Sequence, residues 1–258
     1  MIETETKVFS RSSVLTPNIT HYCPGCGHGI VHRLVAEAIE HYGIRGRTVG
    51  VSPVGCAVLA YKYIDIDMIE AAHGRAPAVA TGLKRARPEL CVFTYQGDGD
   101  LAAIGTAEIV HAANRGENIS VIFVNNAVYG MTGGQMAPTT ILGQQTTTTP
   151  DGRTARNDGG PIRVCEMLST LDGPSYIARV AIDKPAAVRK AKQAILTAFQ
   201  RQIDGKGFSL IEVLSPCPTY WRLPPAEAMA AIGDWMTKTF PLGVFKDKEA
   251  ANGKTADA

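Results

Sequence analysis

No stretch of the 258-residue chain approaches the roughly 20 consecutive apolar residues that a membrane-spanning helix needs. The polar start, with Glu3, Glu5 and Lys7, lacks the basic segment and apolar run of a secretory signal. An excess of charge is missing too. Lys+Arg number 26 and Asp+Glu 24, for a formal net charge of +2, so electrostatics makes no case for nucleic acid or an anionic membrane surface. There is no internal repeat. A soluble, cytoplasmic protein is the expectation. With 45% hydrophobic residues the chain has enough apolar surface for one core, so a single domain over 1–258 is expected, with flexible ends at 1–15 and 245–258. A chain of this size needs no covalent staples. Its six cysteines therefore call for a metal, a cluster, a nucleophile or core packing as their reason.

Short, largely apolar runs at 48–51, 90–95, 119–124, 175–180 and 208–213 read as strands buried on both faces of a parallel sheet. Helical patterns at 30–41, 76–87, 101–115 and 185–201 separate them, the last opening on Pro185 as a first helical turn allows. The alternation predicts an α/β fold with a doubly wound, mostly parallel sheet. One region breaks the rhythm. Residues 127–161 are rich in Gly, Thr, Pro and Gln without periodicity, and a loop that long inside a compact domain is often functional. The run 146–149 with Pro150 reads equally as a lid or as plain surface loop.

Gly97-Asp98-Gly99 follows directly on the strand at 90–95, where ligands bind in open parallel sheets. The glycines permit close backbone approach to a bulky anion, and a helix starting near Leu101 aims its N-terminus at the same crevice. The next strand ends at Asn125-Asn126, and Asp98 and Asn126 lie 28 residues apart, one strand–helix–strand step. Neighbouring strands would so deliver a carboxylate and an amide oxygen to one spot, hard ligands of the kind Mg²⁺ prefers. Two unrelated tight turns are the plain alternative. The pairing resembles the signature of thiamine diphosphate enzymes. That resemblance implies Mg²⁺ on Asp98, Asn126 and the Val128 carbonyl, and a diphosphate cradle that includes Gly97, Gly99, Tyr129, Gly130, Met131 and Thr132. Gly133 and Gln135 would line the diphosphate or substrate pocket.

Cys23-Pro24-Gly25-Cys26-Gly27-His28 contains a Cys-x-x-Cys that by itself admits zinc, a redox dithiol or an iron–sulfur site. Cys56 and Cys217 sit in comparable loops just after strands. All four could meet at one rim of the sheet, where zinc and a [4Fe–4S] cluster are both open readings. Cys91 and Cys165 read as core residues.

Three segments, CPGCGH (23–28), AHGRAPAVATGLKRARP (72–88) and QGDGD with NNAVYGMTGGQMAPTT (96–140), together resemble the β subunit of 2-oxoacid:ferredoxin oxidoreductases over about residues 20–225. The resemblance implies a thiamine diphosphate-binding fold of the diphosphate-module kind. It implies thiamine diphosphate with Mg²⁺, and a [4Fe–4S] cluster on Cys23, Cys26, Cys56 and Cys217. The implied activity is coenzyme A-dependent oxidative decarboxylation of a 2-oxo acid with electrons passed to ferredoxin. Gly55, Cys56 and His73 would contact the cofactor, with His73 catalytic; a capping or packing histidine is its alternative.

No second α/β domain fits in the chain, and no dense Cys-x-x-Cys-x-x-Cys run is present for further clusters. The resemblance therefore implies partners: an α subunit with the pyrimidine-binding domain and catalytic Glu, and small γ and ferredoxin-like δ subunits. A branched-chain acid such as 3-methyl-2-oxobutanoate is favoured, with 2-oxoglutarate next. Met131, Met136 and Ile141 would form an aliphatic pocket, whereas Arg75 or Arg153 would meet a second carboxylate. The competing readings are a non-redox thiamine decarboxylase or synthase with zinc or no metal at the cysteines, and a pure electron-transfer protein without thiamine.

Overall fold

The computed structural model describes residues 9–250. Seven strands form one sheet in the order β2-β1-β3-β4-β6-β5-β7. They are β1 Thr48–Pro53, β2 Asp67–Ala71, β3 Cys91–Gly97, β4 Ser120–Asn125, β5 Tyr176–Ala181, β6 Ser209–Leu214 and β7 Gly243–Asp247. Every pairing is parallel except that of β7 with β5. The doubly wound, mostly parallel sheet expected from the sequence is thus present. The five apolar runs became β1, β3, β4, β5 and β6, each offset by a residue or two.

The two strands that sequence reading overlooked are both edges. In β2 (Asp-Met-Ile-Glu-Ala) only Ala71 is buried, because one flank of the strand faces solvent and no apolar run is needed. β7 brings residues 243–247 into the sheet, so the inner part of the expected flexible end 245–258 is ordered. At the other end Val14 is buried and Leu15 bridges to Ile64, so the expected flexible start holds no better there. The rest of those expectations, at 1–8 and 251–258, lies outside the described residues.

Helices cover both faces. On one, α1 (His28–His41) packs against α6 (Pro185–Ile203), joining Leu34, Val35, Ile39, Ile195 and Phe199 to the inward side chains of β3, β4 and β6. On the other, α2 (Ala76–Ala86), α3 (Thr106–Asn114) and α5 (Val164–Ser169) bury Ala80, Ile109, Ala112, Val164 and Leu168. Cys91 and Cys165 are buried in these two layers, as core residues. The helix expected at 101–115 is interrupted. The Gly105 N–H donates five residues back to the Asp100 carbonyl, which makes Asp100–Ile104 a wide π-type turn ahead of α3.

The aperiodic stretch after β4 is tightly built. It contains only a four-residue helix, α4 (Ala155–Asp158). Its organiser is Arg153, 5% exposed, whose guanidinium donates to the carbonyls of Ala137, Pro138, Thr140, Asp158, Gly159 and Gly160. A fixed planar fork of N–H donors replaces the ladder that secondary structure would otherwise provide. Thr146 and Thr149 are buried and hydrogen-bonded to each other at 2.7 Å, and the Thr147 N–H donates to the Gly134 carbonyl. The threonine run therefore pins the loop. Substituting Arg153→Ala would leave the Thr140, Asp158, Gly159 and Gly160 carbonyls without that donor, while those of Ala137 and Pro138 keep the N–H groups of Thr140 and Ile162. It is expected to destabilise the fold by about 2–4 kcal/mol. Hydrogen exchange should quicken first at the amides of Gly143 and Ile162, and unchanged exchange there would show that the guanidinium is not what holds the loop.

Candidate functional site

The C-terminal ends of β1, β3, β4 and β6 lie side by side in the sheet, so whatever follows them meets at one rim. Asp98, just past β3, is 3% exposed. Its Oδ1 accepts the Gly99 N–H at 2.9 Å, and its Oδ2 accepts the Thr139 hydroxyl at 2.7 Å and the Val128 N–H at 3.2 Å. Burial pushes its pKa up to about 6, partly opposed by those hydrogen bonds. Asn126, just past β4, turns its Oδ1 to the same Val128 N–H at 3.2 Å. Among the described residues no hydrogen bond uses the Val128 carbonyl. A desolvated carboxylate, an amide oxygen and a free carbonyl form the hard donor set that a Mg²⁺–diphosphate requires, so these residues fit the ion.

One cavity is lined by Gly55, Cys56, His73, Gly97, Asp98, Gly99, Asn126, Val128, Tyr129, Gly130, Met131 and Thr132. These twelve residues, named from the sequence as cofactor contacts, thus surround a single space. The loop closing it is a tight hairpin, with the Tyr129 N–H donating to the Gln135 carbonyl at 3.0 Å. Gly133 and Gln135 belong to that hairpin but do not line the cavity. Gly99 is required for a reason that the turn alone did not reveal. A Cβ there would lie 2.1 Å from the Tyr129 ring, which packs on the bare backbone.

His73 enters from the end of β2. Its Nδ1 lies 2.6 Å from the Asp100 Oδ1, which also accepts the Gly74 N–H at 2.5 Å, while Gln96 Nε2 donates to Oδ2 at 2.7 Å. Asp100 accepts all three, so His73 donates through Nδ1 and keeps Nε2 for the cavity. Sequence reading missed Asp100, although it is the second Asp of Gly-Asp-Gly-Asp. Thr139 was also missed, and no local signal ties it to Asp98, 41 positions away.

Cys23, Cys26, Cys56 and Cys217 line a second cavity with Tyr22, His28, Asn126, Gly130 and Tyr220. The two cavities share His28, Cys56, Asn126 and Gly130. Gly130 marks their contact, since a Cβ there would sit 3.3 Å from the Cys56 Sγ, 3.7 Å from the Cys217 Sγ and 3.9 Å from the Asn126 Nδ2. Burial pushes the Cys56 and Cys217 thiols up to about 12 and raises Cys26 as well. A metal centre there would have to displace those protons. Among the described residues no three His, Cys, Asp or Glu side chains converge closely enough for a single metal ion. His28 was also overlooked. It is buried, its pKa is lowered to about 4 by desolvation, and its Nδ1 lies 2.6 Å from the Tyr95 hydroxyl.

Other candidates are engaged elsewhere. Arg75 pairs with Glu108 and Arg153 with the six carbonyls, and neither lines the cofactor cavity. Ile141 is buried in the core and Met136 does not line the cavity, leaving Met131, 46% exposed, as the aliphatic residue of the three at the cavity. Of the threonine run, Thr146 and Thr147 line a different cavity, with Pro150, Tyr220, Trp221 and Trp235, and none of the run lines this one.

A doubly wound sheet that presents an Asp and an Asn from adjacent strand ends beside a glycine-lined cavity defines a thiamine diphosphate-enzyme domain. The family model "Thiamine pyrophosphate enzyme, C-terminal TPP binding domain" matches residues 53–213. The chain is 52% identical over 244 residues to a ketoisovalerate oxidoreductase subunit VorA of Methanothermobacter marburgensis, covering 95% of this chain and 51% of that protein. A 2-oxoglutarate synthase subunit KorB of Archaeoglobus fulgidus is 40% identical over 210 residues, covering 81% of this chain and 74% of that one. Among solved structures, the 2-oxoglutarate:ferredoxin oxidoreductase from Magnetococcus marinus, with 2-oxoglutarate, coenzyme A and succinyl-CoA bound, superposes with a TM-score of 0.74 at 27% identity, over 94% of this chain and 86% of that one. The chain belongs to the 2-oxoacid:ferredoxin oxidoreductase family, as a β subunit carrying the thiamine pyrophosphate-binding domain. It spans about half the length of the VorA relatives.

The raised pKa of Asp98 makes a pH prediction. A carboxyl whose folded pKa lies above its unfolded value stabilises the fold most fully at low pH, and that contribution fades as pH rises through about 6. In the cofactor-free chain stability should therefore fall between pH 5 and pH 7.5, and Asp98→Asn, which cannot titrate, should flatten that fall. Mg²⁺–thiamine diphosphate binding should be lost in the variant at both pH values. Thermal melts at the two pH values, with calorimetric titration of the cofactor, check this; an equal fall in parent and variant would refute it.

Proposed function

We propose that this chain is the thiamine diphosphate-binding subunit of an enzyme that oxidatively decarboxylates a 2-oxo acid, transfers the acyl group to coenzyme A and passes the electrons to ferredoxin. The observation that carries this reading is the shared wall of the two cavities, since a thiamine-type site beside a ring of four cysteines suits a decarboxylation coupled to electron transfer. When bound, thiamine diphosphate supplies the electron sink at which the 2-oxo acid loses carbon dioxide, and a [4Fe–4S] cluster accepts single electrons.

The residues of the chain would divide the work. Asp98, Asn126 and the Val128 carbonyl would hold Mg²⁺ against the diphosphate, and Gly97, Gly99 and the 129–132 turn would let it approach. His73, oriented by Asp100, would present its Nε2 to the reacting end. Cys23, Cys26, Cys56 and Cys217 would hold the cluster. That all four cysteines line one cavity supports a shared centre there.

An α subunit would close the site from above and bring the pyrimidine-binding half with its Glu. Val54 and Met131, 44% and 46% exposed at the cavity, give it apolar surface to cover. Small γ and δ subunits would complete the path to ferredoxin. A branched-chain acid such as 3-methyl-2-oxobutanoate is the favoured substrate. Neither Arg75 nor Arg153 lines the cavity to meet the second carboxylate of 2-oxoglutarate, and the 52%-identical relative bears a ketoisovalerate name.

Anaerobic purification with iron, sulfide and thiamine analysis tests this. The expected protein is brown, with about four irons per chain, and its visible absorption bleaches on adding 3-methyl-2-oxobutanoate and coenzyme A to the assembled complex. Bleaching should be slower with 2-oxoglutarate, and Cys217→Ser should abolish the colour. A colourless, zinc-containing chain that still binds thiamine diphosphate would leave a plain decarboxylase or synthase instead.

A further inference from the structure

Between Asn125 and Val128 the backbone makes an unusual turn, and it is the turn that presents two of the three Mg²⁺ donors described above. Ala127 sits at φ 59°, one of two non-glycine residues at positive φ among those described. The left-handed conformation is unfavourable for an alanine, because its Cβ crowds the following carbonyl oxygen. Something must therefore hold it there. The hydrogen bonds identify Asn125. Its Oδ1 accepts the Ala127 N–H at 3.1 Å, closing an Asx-type turn over the strained residue. Its Nδ2 donates to the Glu212 Oε1 at 2.7 Å.

Glu212 is itself immobile. Its other oxygen accepts from the Arg179 Nε at 2.8 Å, and both side chains are 0% exposed. Arg179 is fixed in turn by Glu166, by the Pro241 carbonyl and by the rings of Phe240 and Phe245, 5.4 and 4.8 Å from the guanidinium carbon. The far side of the turn is gripped too, since the Ala127 carbonyl accepts the Thr140 hydroxyl at 2.7 Å and the Gln144 amide at 3.0 Å. Asn125 is 0% exposed and does not line the cofactor cavity, so it can act on the site only through the backbone.

We propose that Asn125 is a positioning residue: anchored by the buried Arg179–Glu212 pair, its side chain holds Ala127 left-handed and so aims the Asn126 side chain and the Val128 carbonyl at the metal. This rests on the Mg²⁺–diphosphate reading of the site. It differs from a stability role in one checkable way. Glycine adopts positive φ without penalty, so a glycine at 127 needs no such clamp.

The test uses the assembled complex stripped of cofactor, with Mn²⁺ standing in for Mg²⁺ and binding with thiamine diphosphate followed by loss of the free-ion electron paramagnetic resonance signal. Asn125→Ala should weaken binding by about tenfold, the equivalent of one buried hydrogen bond. Ala127→Gly in that background should restore affinity to within about threefold of the parent. Asn125→Ser, which keeps a short acceptor for the Ala127 N–H, should fall between them, and it serves as the reading if Asn125→Ala yields no folded complex. Unchanged affinity in Asn125→Ala overturns the proposal, as does a loss that Ala127→Gly does not recover. A parent complex that binds no Mn²⁺–thiamine diphosphate defeats the underlying reading instead.

Discussion

A carboxylate held out of water at the end of β3 is the constraint around which this molecule is arranged. Asp98 is nearly inaccessible, and three hydrogen bonds do not remove the cost of its charge, as its upward-shifted pKa records. Each of its partners comes from a different part of the rim: Gly99 from its own turn, Val128 from the end of β4, and Thr139 from deep in the long loop. A buried anion with fixed donors on one side is poised for a cation on the other. Much of the surrounding architecture can be understood as the means of keeping that arrangement still.

The long loop is the clearest case. It lacks periodic structure because its task is to return Thr139 and Thr140 to the strand ends, a path no helix or strand could follow. Arg153 meets the backbone needs of that path by donating to six carbonyls at once.

The two cavities meet at Gly130, where there is no side chain to separate the sulfurs of Cys56 and Cys217 from the Asn126 amide. The indole of Trp221, four residues beyond Cys217, donates to the Asn126 carbonyl at 2.9 Å, so the cysteine ring and the Asp98 crevice also share a backbone anchor. Such contact makes sense if the centres exchange electrons, because a short separation serves that exchange.

The sequence alone determined the central strands, the main helices and the pairing of Asp98 with Asn126. In each case the signal is local: a continuous apolar run buried on both faces, a helical period, or a turn of glycines and asparagines directly after a strand. The edge strands β2 and β7 escaped notice because an edge needs no apolar run. Only the tertiary structure decided which distant residues serve the rim. Thr139 lies 41 positions from the carboxylate it bonds, and Glu212 lies 87 from the asparagine it anchors. It likewise placed Arg75 and Arg153 away from the cofactor cavity and showed that four scattered cysteines surround one space. Those outcomes depend on how parallel strands order themselves in a sheet and on which buried polar groups must find partners, and a one-dimensional pattern records neither.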